Sequence, residues 1–282
     1  MRIINWILGI VFLIIITGVI SVKIGSVLFE RDTDREIKNL YNNVKGKKAE
    51  VFIEKDIEGL PQPVKRWLRY SNVIGKTKIS TVRLKQSGLM KTEMGQKGMP
   101  TKAEQYFSVE NPGFIWKARV KMAPFLFFRG RDKYFKGKGN MLIKLMGLYP
   151  VVDGKGKSFN QGTLLRFLGE IVWFPTAAVS EYINWEEIEE KTARETMNYG
   201  EITASAKFII NSKGEVVKYI CQRFKGDSNS KETYKALLSN YKEFNGIKIP
   251  VTGEAVWELE QGDFSYYKFE LTDIEYNTAE IY

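Results

Sequence analysis

The sequence contains no histidine and a single cysteine, Cys221. Without histidine the chain cannot form a Ser-His-Asp or Cys-His relay, bind zinc through imidazole, or use an imidazole as acid or base. One cysteine permits neither an intrachain disulfide nor a Cys-x-x-Cys redox pair. We therefore predict no cofactor and assign no metal ligands. Any catalysis would depend on carboxylates, lysine, tyrosine, serine or an oxygen-bound metal ion.

Basic and acidic side chains are unevenly distributed along the 282 residues, whose net charge is +10. Residues 76–157 contain 18 basic and 5 acidic side chains, a net charge of +13, whereas residues 181–282 contain 12 and 19, a net charge of −7. This asymmetry indicates a basic surface for an anionic partner, unless the charges merely solvate the strand faces. The basic residues form no recognisable nucleic-acid-binding motif, so we expect no nucleic-acid partner.

The amino terminus carries a long uncharged run, residues 3–22 (IINWILGIVFLIIITGVISV). A helix of this length extends about 30 Å, the thickness of the hydrocarbon core of a bilayer. Trp6 lies near one end of the run, as interfacial aromatic residues do. The run predicts an uncleaved transmembrane helix. The alternative, a signal peptide, would have a shorter apolar region and a small-residue cleavage site.

The orientation of this helix follows from the residues on its two sides. The positive-inside rule, applied to Lys23, Arg31, Arg35 and Lys38, would keep the body in the cytoplasm. Amino-terminal anchors with short tails nevertheless often export the chain that follows. We therefore predict a single-pass protein of the cell membrane with an extracytoplasmic body.

The remaining chain is predicted to form one domain. We assign residues 1–28 to the anchor, 29–58 to a charged helical connector and 59–282 to the domain. Apolar segments separated by turn sequences predict about ten to twelve strands without interleaved helices, hence an antiparallel sheet. One helical segment, 160–183, is interrupted by Pro175. The predicted fold class is mainly β with α: a transmembrane helix, then a curved antiparallel sheet, or half-barrel, with a central helical lid.

Six segments of the domain carry a recognisable pattern. They are LPQPVKRWLRYS (60–71), FIWKARVKM (114–122), RGRDKY (129–134), GKGNMLIKLMGLYPVVDG (137–154), VWFPTA (172–177) and EFNGIKIPVTGEAVWEL (243–259).

In this order, and over residues 60–276, the segments resemble a bacterial family of membrane-anchored proteins of unknown function. The succession of strands, mid-chain helix and strands is more distantly similar to the lipoprotein-carrier (LolA-like) half-barrel fold. That second resemblance implies a concave apolar face, covered by helices, that holds acyl chains. Neither family provides a catalytic or binding residue that can be carried over.

The stretch APFLFFRGRDKY joins an apolar run to a basic cluster. We predict that residues 124–129 connect two strands, so that the phenylalanines either fold back over the core or protrude. A protruding tip would enter a membrane interface with basic residues near lipid phosphates. The tryptophans are either core aromatics or the lining of an acyl cavity. The predicted binding residues are Trp116, Phe125, Leu126, Phe127, Phe128, Arg129, Arg131, Leu168, Trp173 and Phe174.

Three carboxylates are candidates for catalysis. Asp132 lies among basic residues that would lower its pKa, although we expect it to pair with an arginine and hold the hairpin. Asp153 is of a residue type that forms turns. Glu170 lies among apolar helix residues, and a pair of Glu170 with Asp132 is the best arrangement for an enzyme.

Three hypotheses for the function follow. The first is a membrane-anchored binding protein with an apolar cavity for lipid, anionic lipid included, or for a lipidated partner. The second is a carboxylate-dependent enzyme that acts on a lipid or glycan at the membrane surface. The third is a structural or signalling domain that docks a protein.

Overall fold

A long amino-terminal helix leads into a single 13-stranded sheet. The computed structural model describes residues 2–42, 44, 49–226 and 230–282. The helices are α1 (Arg2–Tyr41), α2 (Gln62–Tyr70) and α3 (Lys157–Glu170), with short 3₁₀ segments at Glu54–Ile57, Ile171–Trp173 and Pro175–Val179. The strands are β1 (Thr81–Met90), β2 (Met99–Ser108), β3 (Gly113–Ala123), β4 (Leu126–Phe135), β5 (Lys138–Leu145), β6 (Tyr149–Lys155), β7 (Ile183–Glu189), β8 (Thr192–Tyr199), β9 (Ile202–Ile210), β10 (Val216–Phe224), β11 (Lys231–Phe244), β12 (Ile247–Leu259) and β13 (Gly262–Tyr276).

The sheet is antiparallel and strongly curved. Its strand order is β6-β5-β4-β3-β2-β1-β13-β12-β11-β10-β9-β8-β7. The helix α3 contacts both β5 and β10, which would be about 38 Å apart in a flat sheet with strands about 4.8 Å apart. Because a helix is only about 10 Å wide, the sheet must roll around α3. We call the side that faces α3 the concave face and the other side the convex face.

Side chains fill the concave face beneath α3. Leu164, Leu165, Phe167 and Leu168 of α3 are essentially inaccessible to solvent. They join a core to which most strands contribute, and the rings of Phe107 and Phe174 lie 4.8 Å apart within it. Burial of each such side chain stabilises the fold by about 1.5–3 kcal/mol.

The second half of α1 packs on the convex face. Ile37, Leu40 and Tyr41 form a small apolar cluster with Tyr106 of β2 and Ile115 of β3. The Tyr41 hydroxyl also donates a hydrogen bond to the carbonyl oxygen of Val82, at 3.0 Å. The charged residues that follow the apolar run therefore belong to a helix that is seated on the sheet.

The structure confirms the predicted fold class, with three differences in detail. It has 13 strands instead of about ten to twelve, because residues 140–152 form two strands and β11 was not anticipated. The connection between β3 and β4 is only Pro124-Phe125, since β4 begins at Leu126. The residues after the anchor, up to Tyr41, continue α1 without a break.

Candidate functional site

The contacts of α1 show which end of the sheet faces the apolar run. Gly25 lies against Leu148 in the β5–β6 turn, whereas Leu40 lies against Gly113, at the opposite end of the strands. The helix therefore advances along the sheet from the β5–β6 turn toward the start of β3. Residues 3–22 must project beyond the end formed by the β1–β2, β3–β4 and β5–β6 turns, which we call the rim.

The tip of the β3–β4 hairpin is level with the end of the apolar run. Glu30 pairs with Arg129, and Glu36 pairs with Arg131 and Lys133, so α1 and β4 advance side by side. Phe125 precedes Arg129 by four residues, which corresponds to about 13 Å along the strand. Along α1, the same distance corresponds to about nine residues. Counting back from Glu30, Phe125 lies near the level of the last uncharged residues of α1.

Exposed apolar side chains are concentrated at this rim. Phe125 is 89% exposed at the hairpin tip. Outside α1, the other exposed large apolar side chains in the described part of the chain lie mostly in or beside the turns of the rim. Val151 on β6 and, at the opposite end of the sheet, Val51 and Ile53 are the exceptions. Exposed apolar side chains concentrated at one edge are typical of a surface that contacts a membrane or a partner. The rim residues are Leu89, Met94, Met122, Phe125, Leu148 and Tyr149.

The remaining residues of the predicted tip have different surroundings. Leu126 and Phe128 are half-buried, and Phe127 is buried on the convex face beneath the guanidinium of Arg119, whose Cζ is 4.2 Å from the ring centre. Because side chains alternate along β4, Phe127 and Phe128 point to opposite faces of the sheet. Only Phe125 is presented fully to the exterior.

The two predicted arginines contact α1. Arg129 forms an ion pair with Glu30, and Nε of Arg131 lies 3.0 Å from Oε2 of Glu36. Lys117 adds contacts of 3.3 Å to both Glu30 and Asp34. These mostly buried pairs hold α1 on the convex face, which is a structural role for the basic cluster of β3 and β4.

The predicted interior residues are all buried. Trp116, Leu168, Trp173 and Phe174 are at most 7% exposed, and Nε1 of Trp173 donates a hydrogen bond to the carbonyl oxygen of Pro250 at 3.1 Å. The distant LolA-like resemblance implied acyl chains beneath α3, and the alternative was that the tryptophans are core aromatics. In the structure, side chains of α3 and of the sheet occupy that space.

Asp132 and Glu170 come together through an arginine that the sequence analysis did not identify. Nη1 of Arg166 donates to Oδ2 of Asp132 at 2.7 Å, and its Nε donates to Oε1 of Glu170 at 2.9 Å. Nε2 of Gln105 donates to the other oxygen of Glu170 at 2.7 Å. The i, i+4 spacing of Arg166 and Glu170 could have indicated their pairing.

The electrostatics of this cluster fit a structural network. Burial raises the pKa of Glu170, although Arg166 and Gln105 partly oppose this effect. Burial tends to lower the pKa of Arg166, but Glu170 and Asp132 outweigh it and raise that pKa. Two carboxylates that accept hydrogen bonds from one guanidinium form strong, charge-assisted contacts, which join β4 to α3.

Asp153 does not belong to this cluster. Leu142 lies between Asp153 and Arg131 in the strand register, so Asp153 is on the convex face while Asp132 is on the concave face. Its carboxylate accepts hydrogen bonds from Asn140 at 2.9 Å and Lys155 at 3.0 Å, which lower its pKa. The three candidate carboxylates thus form no common site. Within the described residues there is also no cluster of three or more acidic, cysteine or histidine side chains that could hold a metal.

One helix, α1, is long and apolar enough to cross a membrane by length and composition, a property that a signal sequence shares. A family of unknown function, DUF6544, matches residues 50–269. No curated protein matches the chain.

Among solved structures, a domain named for outer membrane lipoprotein sorting, from Vibrio parahaemolyticus, is similar with a TM-score of 0.43 and 12% identity, over 71% of this chain and 86% of that one. A LolA superfamily protein from Nitrosomonas europaea has a TM-score of 0.41 and 8% identity, over 76% and 94%. The predicted resemblance to a family of unknown function is confirmed. The predicted distant similarity in shape to LolA-like proteins is also found among solved structures, at TM-scores below 0.5.

Proposed function

The chain belongs to DUF6544, a family of unknown function, so its role has to follow from its own geometry, and we propose that it is a single-pass membrane protein that binds lipid where its rim meets the bilayer. The observation that carries this proposal is the continuity of α1. One helix contains both the apolar run and the segment that is ion-paired to the sheet. The rim is therefore held at the level where the apolar run ends.

An uncleaved anchor is supported by the packing just beyond the apolar run. Gly25 is buried against the β5–β6 turn, and Phe29 is 3% exposed. The residues between Val22 and Gly25 are helical and lack the small-residue pattern at which signal peptides are cleaved. In this proposal, the first half of α1 spans the membrane and the second half packs on the sheet.

The packed interior supports a lipid site at the rim. Because α3 and its neighbours fill the concave face, the proposal places the lipid at the rim and not beneath α3. A lipidated protein would present the same chemistry, an acyl chain at the membrane interface. The body is proposed to lie outside the cytoplasm, since long domains are translocated largely regardless of their charge.

Fluorescence from a single label at the hairpin tip tests the proposal. Cys221 is the only cysteine and is buried, so Phe125→Cys in a Cys221→Ser background accepts one environment-sensitive fluorophore. In the full chain, reconstituted in phosphatidylcholine nanodiscs, we expect nitroxide groups on the lipid acyl chains to quench this label strongly.

Lys138→Cys is the matched control, because Lys138 is exposed at the opposite end of the same sheet. Its label should remain accessible to aqueous iodide and unaffected by the nitroxide lipids. Equal quenching by iodide at the two positions would show that the rim does not meet the bilayer, and the proposed function would then be abandoned.

A further inference from the structure

A groove of about 780 Å³ opens on the convex face at the rim. It lies beside the part of the sheet that α1 covers and is bordered by the outward-facing residues of β1 to β4 and of β12 and β13. Its walls combine apolar and basic side chains. Among its lining residues are Leu89, Lys102, Arg119, Lys121, Leu126 and Phe127.

The cations of this groove differ from those beneath α1 in having no acidic partner. Lys102, Arg119 and Lys121 are exposed, and none forms an ion pair within the part of the chain that the structure describes. On the same face, Lys117 and Arg129 are paired with acids of α1. Where α1 covers the sheet, the basic side chains of the sheet are therefore paired with acidic side chains of α1. In the groove next to α1, the basic side chains have no acidic partner among the described residues.

The carboxylate of the groove does not neutralise these cations. Glu270 also lines the groove, and one of its oxygens lies 3.4 Å from Nζ of Lys242. Lys268, a fourth basic lining residue, pairs with Glu254 at 3.1 Å. The three unmatched cations therefore face the open space of the groove.

The groove lies at the depth of the lipid headgroups if α1 spans the bilayer. Lys121 is opposite Phe127 in the register of β3 and β4, two residues above the hairpin tip. This places it about 7 Å beyond the level of Phe125, within the headgroup layer, which is about 5–8 Å thick. The guanidinium of Arg119 stacks on Phe127 and so reaches the same level.

We propose that this groove binds the phosphate headgroup of an anionic phospholipid from the bilayer that α1 spans. Arg119 and Lys121 contact the phosphate, Lys102 adds positive charge, and Leu89 and Leu126 contact the apolar part of the lipid next to the headgroup. The groove is open and partly apolar, so a free ion bound in it would remain exposed to water. A lipid headgroup fits this groove better, because the bilayer holds the headgroup in place. The inference rests on the proposed contact between rim and bilayer and specifies its ligand.

The test compares lipid retention by the full chain and by Arg119→Gln/Lys121→Gln. Each protein is reconstituted in nanodiscs of phosphatidylcholine and phosphatidylglycerol, extracted in mild detergent and analysed by native mass spectrometry. We expect the native chain to retain phosphatidylglycerol preferentially. In the double variant this enrichment should fall by roughly 25-fold, since each of the two basic groups strengthens binding to an anionic lipid about fivefold.

A variant with the same change in net charge controls for unspecific attraction. Lys138→Gln/Lys191→Gln removes two exposed cations at the opposite end of the sheet, and it should keep the full enrichment. Equal losses in both double variants, or no loss in either, would overturn the inference. Release of the lipid by millimolar inorganic phosphate would also overturn it, because the site would then accept a free anion.

Quenching of the label at Phe125→Cys tests the proposed function independently of the headgroup site. In pure phosphatidylcholine, the Phe125→Cys label should be quenched equally with and without Arg119→Gln/Lys121→Gln. If the tip is immersed but the groove variant retains phosphatidylglycerol normally, only the headgroup site fails. Circular dichroism and thermal unfolding confirm that both double variants are folded.

Discussion

Glu195 is a fully buried carboxylic acid on β8 whose two oxygens have no hydrogen-bond partner among the described residues. It points into the core between β7 and β9, beside Ala206 of the neighbouring strand. Burial alone raises the pKa of Glu195 well above its usual value. An unpaired buried carboxylate is costly, so the group is held in its neutral form as far as the pH allows.

The raised pKa of Glu195 makes the fold less stable as the pH rises. Because the folded pKa is raised, the stability is greatest below the pKa of the unfolded carboxyl, about 4.3, and decreases as the pH rises toward the folded value. We expect Glu195→Gln to leave stability nearly unchanged at pH 4. At pH 8 it should raise the free energy of unfolding, because the neutral amide carries no charge that folding would have to bury or neutralise.

Urea unfolding of the two proteins at several pH values measures this difference. The comparison cancels the contributions of the other carboxylates, which are the same in both chains. A stabilisation that is independent of pH would mean that Glu195 has a hydrogen-bond partner in solution and that its pKa is ordinary.

At the scale of elements, α1 is attached to the sheet by charge as well as by apolar contact. Its apolar side chains are buried from Phe29 to Tyr41, and Glu30, Asp34 and Glu36 match cations of β3 and β4. These pairs are partly shielded from water and should contribute more than exposed pairs do.

Charge reversal on α1 tests this attachment. Glu30→Lys places a third cation beside Lys117 and Arg129, and we expect it to loosen residues 23–41 from the sheet at a cost of about 1–2 kcal/mol. Hydrogen exchange of these amides should accelerate accordingly. Asp32→Lys is the control, because Asp32 is exposed and pairs only with Arg35 of the same helix. If both substitutions had equal effects, the ion pairs would not be what holds α1.

The elements also show how far prediction from sequence extends. The β11–β12 turn can be recognised in the sequence, because Asn245-Gly246 is a typical type I′ pair and both residues have positive φ. The β5–β6 turn uses Met146-Gly147, with φ of 53° and 76°, and methionine gives no turn signal, so two strands were taken for one. Glu30 and Asp34 share a helix face by their spacing, but the cations opposite them depend on a strand register that no local pattern reveals.

The candidate site shows the same limit. Phe125 was predicted from a run of apolar residues, and its exposure follows from a two-residue hairpin that the sequence does not specify. Arg166 was missed although its i, i+4 spacing indicates the pairing with Glu170. Its second partner, Asp132, lies on β4, and no local pattern shows that β4 faces this helix. The sequence shows an excess of basic residues in this part of the chain. It does not show which of them have acidic partners, because that depends on where α1 packs on the sheet.

At the scale of the whole molecule, the side of the membrane on which the body lies is a separate proposal with its own test. In intact cells, a thiol reagent that does not cross membranes should label Lys138→Cys in the Cys221→Ser background if the body is extracytoplasmic. The unmodified chain is the control, since Cys221 is buried. Labelling only after the cells are broken would place the body in the cytoplasm.

If the apolar run of α1 spans the bilayer as proposed, the unbroken helix also determines how a ligand would arrive. A body without a flexible tether cannot swing away from its own leaflet, so it searches for lipid in two dimensions. Lifting a phospholipid into water costs about 0.8 kcal/mol for each methylene, and a groove at headgroup depth avoids this step because the acyl chains stay in place. Such a protein would bind lipids only from the leaflet that faces its body, so the composition of the other leaflet would not affect its binding.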